Sequence, residues 1–132
     1  MSEWDGWDVD RAVLVFTAVA YLVIWVQLSL YHWAGGFKRV AMWGPVLATP
    51  PIAAGAVVGA VARDGVWGWV ALALLAFGIL DGLVGVALHL QGIQSQIGGF
   101  TTRNLLSGPP PMLPLAYAAM GVLGVGALVW NA

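Results

Sequence analysis

The sequence contains no cysteine and very little charge. Only 8% of its 132 residues are charged, and the mean hydropathy is +0.88, whereas a soluble domain carries roughly 25% charged residues. Without cysteine, the chain cannot form disulfides, thiolate metal sites, cysteine nucleophiles or thioether-linked haem. So few charged groups cannot cover a water-facing surface, and we therefore expect most of the chain to face lipid.

An excess of basic residues is also missing. The formal net charge is -1, which excludes the electrostatic footprint of a nucleic-acid-binding protein. The N-terminal stretch MSEWDGWDVDR is acidic, whereas a secretory signal peptide begins with a basic segment. We therefore expect the first apolar stretch to remain in the protein as a transmembrane helix.

Long apolar runs dominate what is present. A helix needs about 20 such residues to cross the roughly 30 Å hydrocarbon layer. Four runs meet this requirement: Ala12–Leu30, Val46–Val61 (short and interrupted by Pro50-Pro51), Val66–Leu90 and Met112–Trp130. The sequence therefore predicts one all-α integral membrane domain over residues 1–132, with four transmembrane helices in an up-down-up-down bundle.

Two parts of the chain share an ordered set of features: a histidine at a helix end, Gly-Gly-Phe, a basic residue and Gly-Pro-x4-Pro. The pairs are His32 with His89, Gly36-Phe37 with Gly99-Phe100, Gly44-Pro45 with Gly108-Pro109, and Pro50 with Pro114. This order predicts a duplication, with repeat 1 over residues 5–62 and repeat 2 over residues 64–130. Two such hairpins have the same orientation, so an axis along the membrane normal would relate them.

Glycines on the third span predict close helix packing. At 100° per residue, a stripe that includes His89 falls within an arc of about 80°, and its glycines are Gly78, Gly82, Gly85 and Gly92. The second span adds Gly55 and Gly59. Small residues let two membrane helices approach closely, so we expect these positions to contact another helix of the chain or of a second subunit.

His32 and His89 are expected at matching depths in the two repeats. Two such histidines are the minimum arrangement for holding haem b or a chlorin inside a bundle. A histidine at a helix C-terminus also interacts favourably with the helix dipole and the last free carbonyls. We favour this second interpretation and predict no cofactor, with haem or another pigment as the alternative.

Asp81 lies well inside the third span, about 12 Å deeper than His89. An unshielded aspartate there costs about 2.5–3.5 kcal/mol, so we expect a protein partner: Tyr21 or Thr17 on the first span, or Tyr117 on the fourth. A structural bond between helices and the handling of protons or cations both remain open. The repeat contains no second copy of Asp81, which suggests separate roles for Asp81 and His89.

Basic residues in the loops predict the orientation. Lys38, Arg39 and Arg103 lie in the two loops that contain Gly-Gly-Phe, whereas Arg11 and Arg63 on the other side are accompanied by acidic residues. We therefore expect those two loops in the cytoplasm and both termini outside.

One pattern in the second half resembles small bacterial four-span membrane proteins of uncharacterised function. It consists of His89-Leu90, Gly92, Gly98-Gly99, Asn104-Leu105 and Gly108-Pro109-Pro110. The first half shares only Gly-Gly-Phe and Gly-Pro. The resemblance implies a four-helix membrane fold of bacterial origin, hence an inner (cytoplasmic or intracytoplasmic) membrane, and it implies no activity.

The sequence supplies no nucleophile–base pair, carboxylate dyad or metal-ligand constellation, so we predict neither an enzyme nor a metal site. The leading hypothesis is a non-catalytic accessory or scaffold subunit, packed in the bilayer against other membrane subunits of, for example, a respiratory or photosynthetic complex. One alternative is a redox membrane anchor that binds haem b between His32 and His89, or a quinone nearby. Another is a small oligomeric transporter or channel that uses Asp81.

Overall fold

A computed structural model of the protein describes residues 1 and 3–130. Its helices are α1 (Val9–Ala34), α2 (Trp43–Val61), α3 (Gly65–Gly92), α4 (Thr102–Ser107) and α5 (Met112–Val129). A 3₁₀ turn (Val40–Met42) leads into α2, and a π-helical turn (Ile93–Ile97) extends α3. All the helices except the short α4 are long and apolar enough to cross a membrane. The predicted all-α fold with four membrane-spanning helices is therefore confirmed.

The four long helices form a square. Helix α1 packs against α2, α2 against α3, α3 against α5, and α5 against α1. Helices that follow one another along the chain are thus neighbours and run in opposite directions, which gives the up-down-up-down bundle. Helices α1 and α3 lie on a diagonal. Two parallel hairpin repeats would have the same arrangement, although the duplication itself stays a prediction.

The two prolines that interrupt the second apolar run do not interrupt its helix. Helix α2 continues through both prolines. Pro50 has no N–H to bond to the carbonyl of Val46, four residues earlier. The indole Nε1 of Trp25 donates to that carbonyl instead, at 2.8 Å. A side chain from α1 thus replaces the missing backbone donor, as neighbouring helices commonly do for prolines in membrane helices.

One end of the bundle, which we call the closed end, is densely packed. It contains the start of α1, the end of α2, the start of α3 and the end of α5. Leu14, Leu75 and Leu128 are completely buried there. A Cβ atom added to Gly124 would lie 2.9 Å from the side chain of Leu75, and one added to Gly59 would lie 3.2 Å from that of Leu128. Leucine side chains therefore occupy the spaces above the glycines.

The N-terminal segment covers the closed end. Trp4 Nε1 donates to the carbonyl of Gly59 at 2.9 Å, and Arg11 Nε donates to that of Ala60 at 2.7 Å. These are two of the last carbonyls of α2, which have no partner inside their own helix. The buried Arg63 side chain also lies 4.2 Å from the centre of the Trp4 ring. The two arginines at this end therefore contribute to the packing of the bundle.

The glycine stripe of α3 faces other helices of the same chain. A Cβ atom on Gly82 would lie 2.7 Å from the backbone nitrogen of Ala118, and one on Gly85 would lie 2.8 Å from Pro114. Both neighbours belong to α5. A Cβ atom added to Gly78 would lie 2.5 Å from Tyr21, and one added to Gly92 would lie 3.5 Å from Pro109. On α2, a Cβ atom added to Gly55 would lie 2.7 Å from Leu74 of α3. Helices α3 and α5 can approach this closely only because Gly82 has no side chain.

Candidate functional site

The opposite end of the bundle, which we call the histidine end, contains a cavity of about 330 Å³. The C-terminal parts of α1 and α3, the start of α5 and the adjoining loops surround it. Small-molecule sites in proteins have volumes of about 300–1,000 Å³. The walls are mainly apolar, with Leu28 and Leu88 among them, and the titratable side chains that reach the cavity include His32, Asp81 and His89.

His89 and Asp81 line the same cavity, although the repeat pattern predicts separate roles for them. His89 lies near the loops and Asp81 about 12 Å deeper along α3. Gly82 and Gly85 form part of the wall between them. Residues at both depths line one continuous cavity, which therefore extends from the helix end down to Asp81. The repeat pattern reveals which positions correspond, but it does not reveal how far a cavity extends along one helix.

The two histidine rings lie close together at the mouth of this cavity. Their centroids are 6.5 Å apart and their planes meet at 72°. His89 Nδ1 is 2.8 Å from the carbonyl oxygen of Pro110. A carbonyl only accepts hydrogen bonds, so Nδ1 carries the proton, and Nε2 of a neutral ring remains available. His32 lies beside the backbone of Met42, and its Nδ1 is buried without a hydrogen-bond partner among the described residues.

Neither of these contacts is with the carbonyls at the end of the histidine's own helix. Met42 precedes α2, and Pro110 precedes α5. The helix-capping interpretation therefore does not describe these contacts. Both rings instead tie the end of one long helix to the start of the next, which holds the mouth of the cavity in place.

A polar cluster surrounds Asp81 and takes one side chain from each long helix: Tyr21, Thr49, Asp81 and Tyr117. The hydroxyl of Tyr117 lies beside the Asp81 carboxyl, and it lies 3.0 Å from the hydroxyl of Thr49. Tyr21 donates to the backbone carbonyl of Tyr117 at 3.2 Å, and the two tyrosine rings pack edge to face, 4.9 Å apart. The cluster links all four helices at one depth.

Sequence reasoning anticipated part of this cluster. Of the three candidate partners for Asp81, Tyr117 contacts the carboxyl, Tyr21 bonds to backbone, and the hydroxyl of Thr17 is buried without a partner among the described residues. Thr49 was not anticipated. A threonine in a helix commonly bonds to its own backbone, and Thr49 does reach the Pro45 carbonyl, so its type alone indicates nothing about a site.

The residues that line the cavity are exposed on two sides of the protein. Val84 lines it and is 56% exposed on a membrane-spanning helix, so that residue faces lipid. Arg39 and Gln96, which are exposed residues of the two connecting segments, also line it. The cavity therefore borders both the lipid-facing surface and the loops, where Arg39 supplies a charged group.

The polar side chains at the histidine end can form hydrogen bonds with a ligand. Across residues 1 and 3–130, no three His, Asp or Glu side chains come close enough to hold a metal ion. His89 meets one requirement of a haem ligand, because its Nδ1 is fixed by a carbonyl and its Nε2 is available. The polar groups at the mouth and the floor, with apolar walls between them, are also those of a small-molecule site.

The chain matches no protein family model, no curated protein and no solved structure. Its function is therefore inferred from the geometry of this cavity.

Proposed function

We propose that the protein is a non-catalytic integral membrane subunit that binds a small lipid-soluble molecule of the quinone class at the histidine end. The observation that carries this proposal is the presence of His32, His89 and Asp81 in one cavity, at two depths, with apolar walls between them. A quinone or quinol is an apolar ring with oxygen atoms on two opposite sides. It would thus offer a hydrogen-bonding group both to the mouth and to the floor.

The lipid-facing residue in the cavity wall supports the same ligand class. Quinones are dissolved in the hydrocarbon layer, and the exposed Val84 at the cavity wall faces that layer. A soluble metabolite would instead need a polar entrance. The apolar walls and the absence of a charged pair at the floor also favour a neutral ligand over a charged one.

This site fits an accessory or anchor subunit of a redox complex in a bacterial inner membrane. Lys38, Arg39 and Arg103 are exposed at the histidine end, whereas Arg11 and Arg63 pack against other groups at the closed end. By the positive-inside rule, the free basic residues favour a cytoplasmic histidine end and outside termini. Purification from native membranes in mild detergent should then recover a fixed set of larger membrane proteins, and a lone monomer or homodimer would contradict this assignment.

The quinone proposal is tested by equilibrium binding of duroquinone to the purified protein in detergent. Wild type should bind it saturably, with one site per chain. Asp81→Leu and His89→Leu should each weaken binding about tenfold or more, because each removes a polar contact. Asp64→Asn, at the other end of α3, is the matched control and should bind like wild type. Partition without saturation, equal in all variants, would refute the proposal.

Haem b between His32 and His89 is the second candidate, and the free Nε2 of His89 is the observation that favours it. The visible spectrum of the protein as isolated decides between the two. A Soret band that His32→Ala and His89→Ala both abolish would establish haem, and its absence would remove that candidate.

Transport by one chain has weaker support. A path from the cavity to the opposite side would have to pass the completely buried Leu14, Leu75 and Leu128. A flux into proteoliposomes that Asp81→Asn abolishes would favour transport over the binding of a quinone.

A further inference from the structure

An exposed glycine at the start of α2 lies beside the carboxyl of Asp81. Gly44 is the second residue of this helix and is exposed. Apart from its chain neighbours and the backbone of its own helix, a Cβ atom added to Gly44 would meet one atom within 4 Å, and that atom is Oδ1 of Asp81 at 3.9 Å. Gly44 therefore leaves a space next to the carboxyl that a larger side chain would fill.

Lipid-exposed residues border this space on both helices. Val84 is three residues from Asp81 on α3, so the two share a face, and Val84 both lines the cavity and is exposed. Leu47 stands in the same relation to Gly44 on α2 and is also exposed. We call the space bordered by Gly44, Leu47, Asp81 and Val84 the side gap. It joins the cavity wall to the surface that faces the hydrocarbon layer.

The corresponding glycine of the second repeat is packed. A Cβ atom added to Gly108 would lie 2.6 Å from the carbonyl oxygen of Asn104 and 3.3 Å from the side chain of Ile93. The Gly-Pro sequence alone therefore does not create a gap. The open space occurs at Gly44, in the half of the bundle where Asp81 lies.

The carboxyl of Asp81 borders both the cavity and the side gap. Its Oδ1 atom lies beside Gly44, and its Oδ2 atom is buried without a hydrogen-bond partner among the described residues. A buried polar atom without a partner is costly, so a ligand that hydrogen-bonds to this carboxyl would stabilise it. The shortest route from the bilayer to that position runs through the side gap.

We propose that the side gap is the entrance through which a quinone-class ring passes from the bilayer to Asp81, and that the tail of the ligand stays in this gap when the ring is bound. The cavity of about 330 Å³ has room for a benzoquinone ring but not for a long chain as well, so a tail must extend into lipid. The ligand is thereby narrowed to quinones with an apolar tail. Gly44 determines this specificity because it leaves space for the tail. The tail path rests on the proposed function, whereas access to Asp81 does not.

An apolar carbodiimide tests the entrance without any quinone. Dicyclohexylcarbodiimide dissolves in lipid and adds to a protonated carboxyl: the proton moves to one nitrogen, a carboxyl oxygen bonds to the central carbon, and no atom leaves. With the protein in phosphatidylcholine liposomes, mass spectrometry should find Asp81 labelled. Gly44→Leu should slow this labelling about tenfold, because its side chain fills the gap.

Two variants serve as controls for the carbodiimide experiment. Gly44→Ala adds a Cβ atom at an ordinary contact distance of 3.9 Å and should be labelled like wild type. Gly126→Leu adds the same side chain as Gly44→Leu at the closed end, where a Cβ atom meets nothing within 4 Å, and should also be labelled like wild type. A wild-type Asp81 that is not labelled, or equal labelling in Gly44→Leu, would overturn the entrance.

A matched pair of ligands tests the position of the tail. Duroquinone has four methyl groups on its ring, and decyl-trimethylbenzoquinone has a decyl chain in place of one of them. Gly44→Leu should weaken binding of the decyl compound about tenfold and leave duroquinone within about threefold of wild type. In wild type, excess decyl compound should also protect Asp81 from the carbodiimide.

The outcomes separate the tail path from the proposed function. Equal weakening of both quinones by Gly44→Leu, or no change in either, would overturn the tail path while the quinone site stands. If wild type binds neither quinone saturably, the proposed function and the tail path fail together. The labelling of Asp81 then still decides whether the side gap gives access from the bilayer.

Discussion

The two ends of the bundle use the same four helices in different ways. At the closed end, leucine side chains cover glycines and the N-terminal segment bonds to the last carbonyls of α2. At the histidine end, a cavity lies between the helices, and polar side chains from four helices meet near its floor. One end therefore holds the helices together, and the other is free to hold a ligand. Equivalent changes at the two ends should then have different effects.

The largest difference is expected for leucine truncation. Leu75→Ala at the closed end should lower the free energy of unfolding by about 2–5 kcal/mol, because it leaves a void in tight packing. Leu88→Ala borders an existing cavity, makes no new enclosed void and should cost less than about 1 kcal/mol. SDS-induced unfolding in mixed micelles measures both. Equal losses would show that the two ends are packed alike.

Glycine substitution tests the contact between α3 and α5. A methyl group on Gly82 would meet the backbone of Ala118 at 2.7 Å, so Gly82→Ala should destabilise the protein by about 1–3 kcal/mol. Gly126→Ala is the matched control, because nothing lies within 4 Å of its added Cβ. Its stability should equal or slightly exceed that of wild type. A tolerated Gly82→Ala would contradict the close approach of the two helices.

The bond between Trp25 and the Val46 carbonyl is testable by a double-mutant cycle. Trp25→Phe leaves that carbonyl without its indole donor and should cost about 1 kcal/mol. In a Pro50→Ala background, the new backbone N–H can bond to the carbonyl, so the same substitution should cost less. Additive effects in unfolding experiments would mean that the indole does not compensate for the proline.

The smallest effect is expected for Thr17→Val. The hydroxyl of Thr17 is completely buried and has no partner among the described residues, so its loss should leave the free energy of unfolding unchanged or raise it by up to about 1 kcal/mol. Thermal unfolding in detergent can detect this change. A clear loss of stability would indicate a bond that the described structure lacks.

The sequence predicts the helices well and the cavity poorly, for physical reasons. Apolar runs reveal the spans because lipid is the solvent. The stripe with Gly82 reveals a packed face because small residues let membrane helices approach closely. Continuity of α2 through Pro50 depends on a donor from another helix, which a local pattern cannot show. The Gly-Gly-Phe copies also differ in backbone: Gly36 and Phe37 have positive φ in the first, but Gly98 and Gly99 in the second.

The joining of Asp81 and the histidines in one cavity is likewise a property of packing. It depends on where α2 and α5 begin and on how they pack around α3. A helical projection of α3 alone places Asp81 beside the glycine stripe, and depth in the membrane identifies Tyr117 only as one of several candidates. Thr49 enters the cluster because the packing of the bundle brings its hydroxyl on α2 to that of Tyr117 on α5.

Photoaffinity labelling tests most directly whether the histidine end binds a quinone-class ligand. Purified protein is illuminated with an azido-substituted benzoquinone, and the labelled residues are identified by mass spectrometry. Labels are expected on α3 between Asp81 and His89 and on the first turn of α5, and excess duroquinone should suppress them. Labels spread over the lipid-facing side chains of all helices, such as Phe16 and Phe77, and unaffected by duroquinone would contradict it.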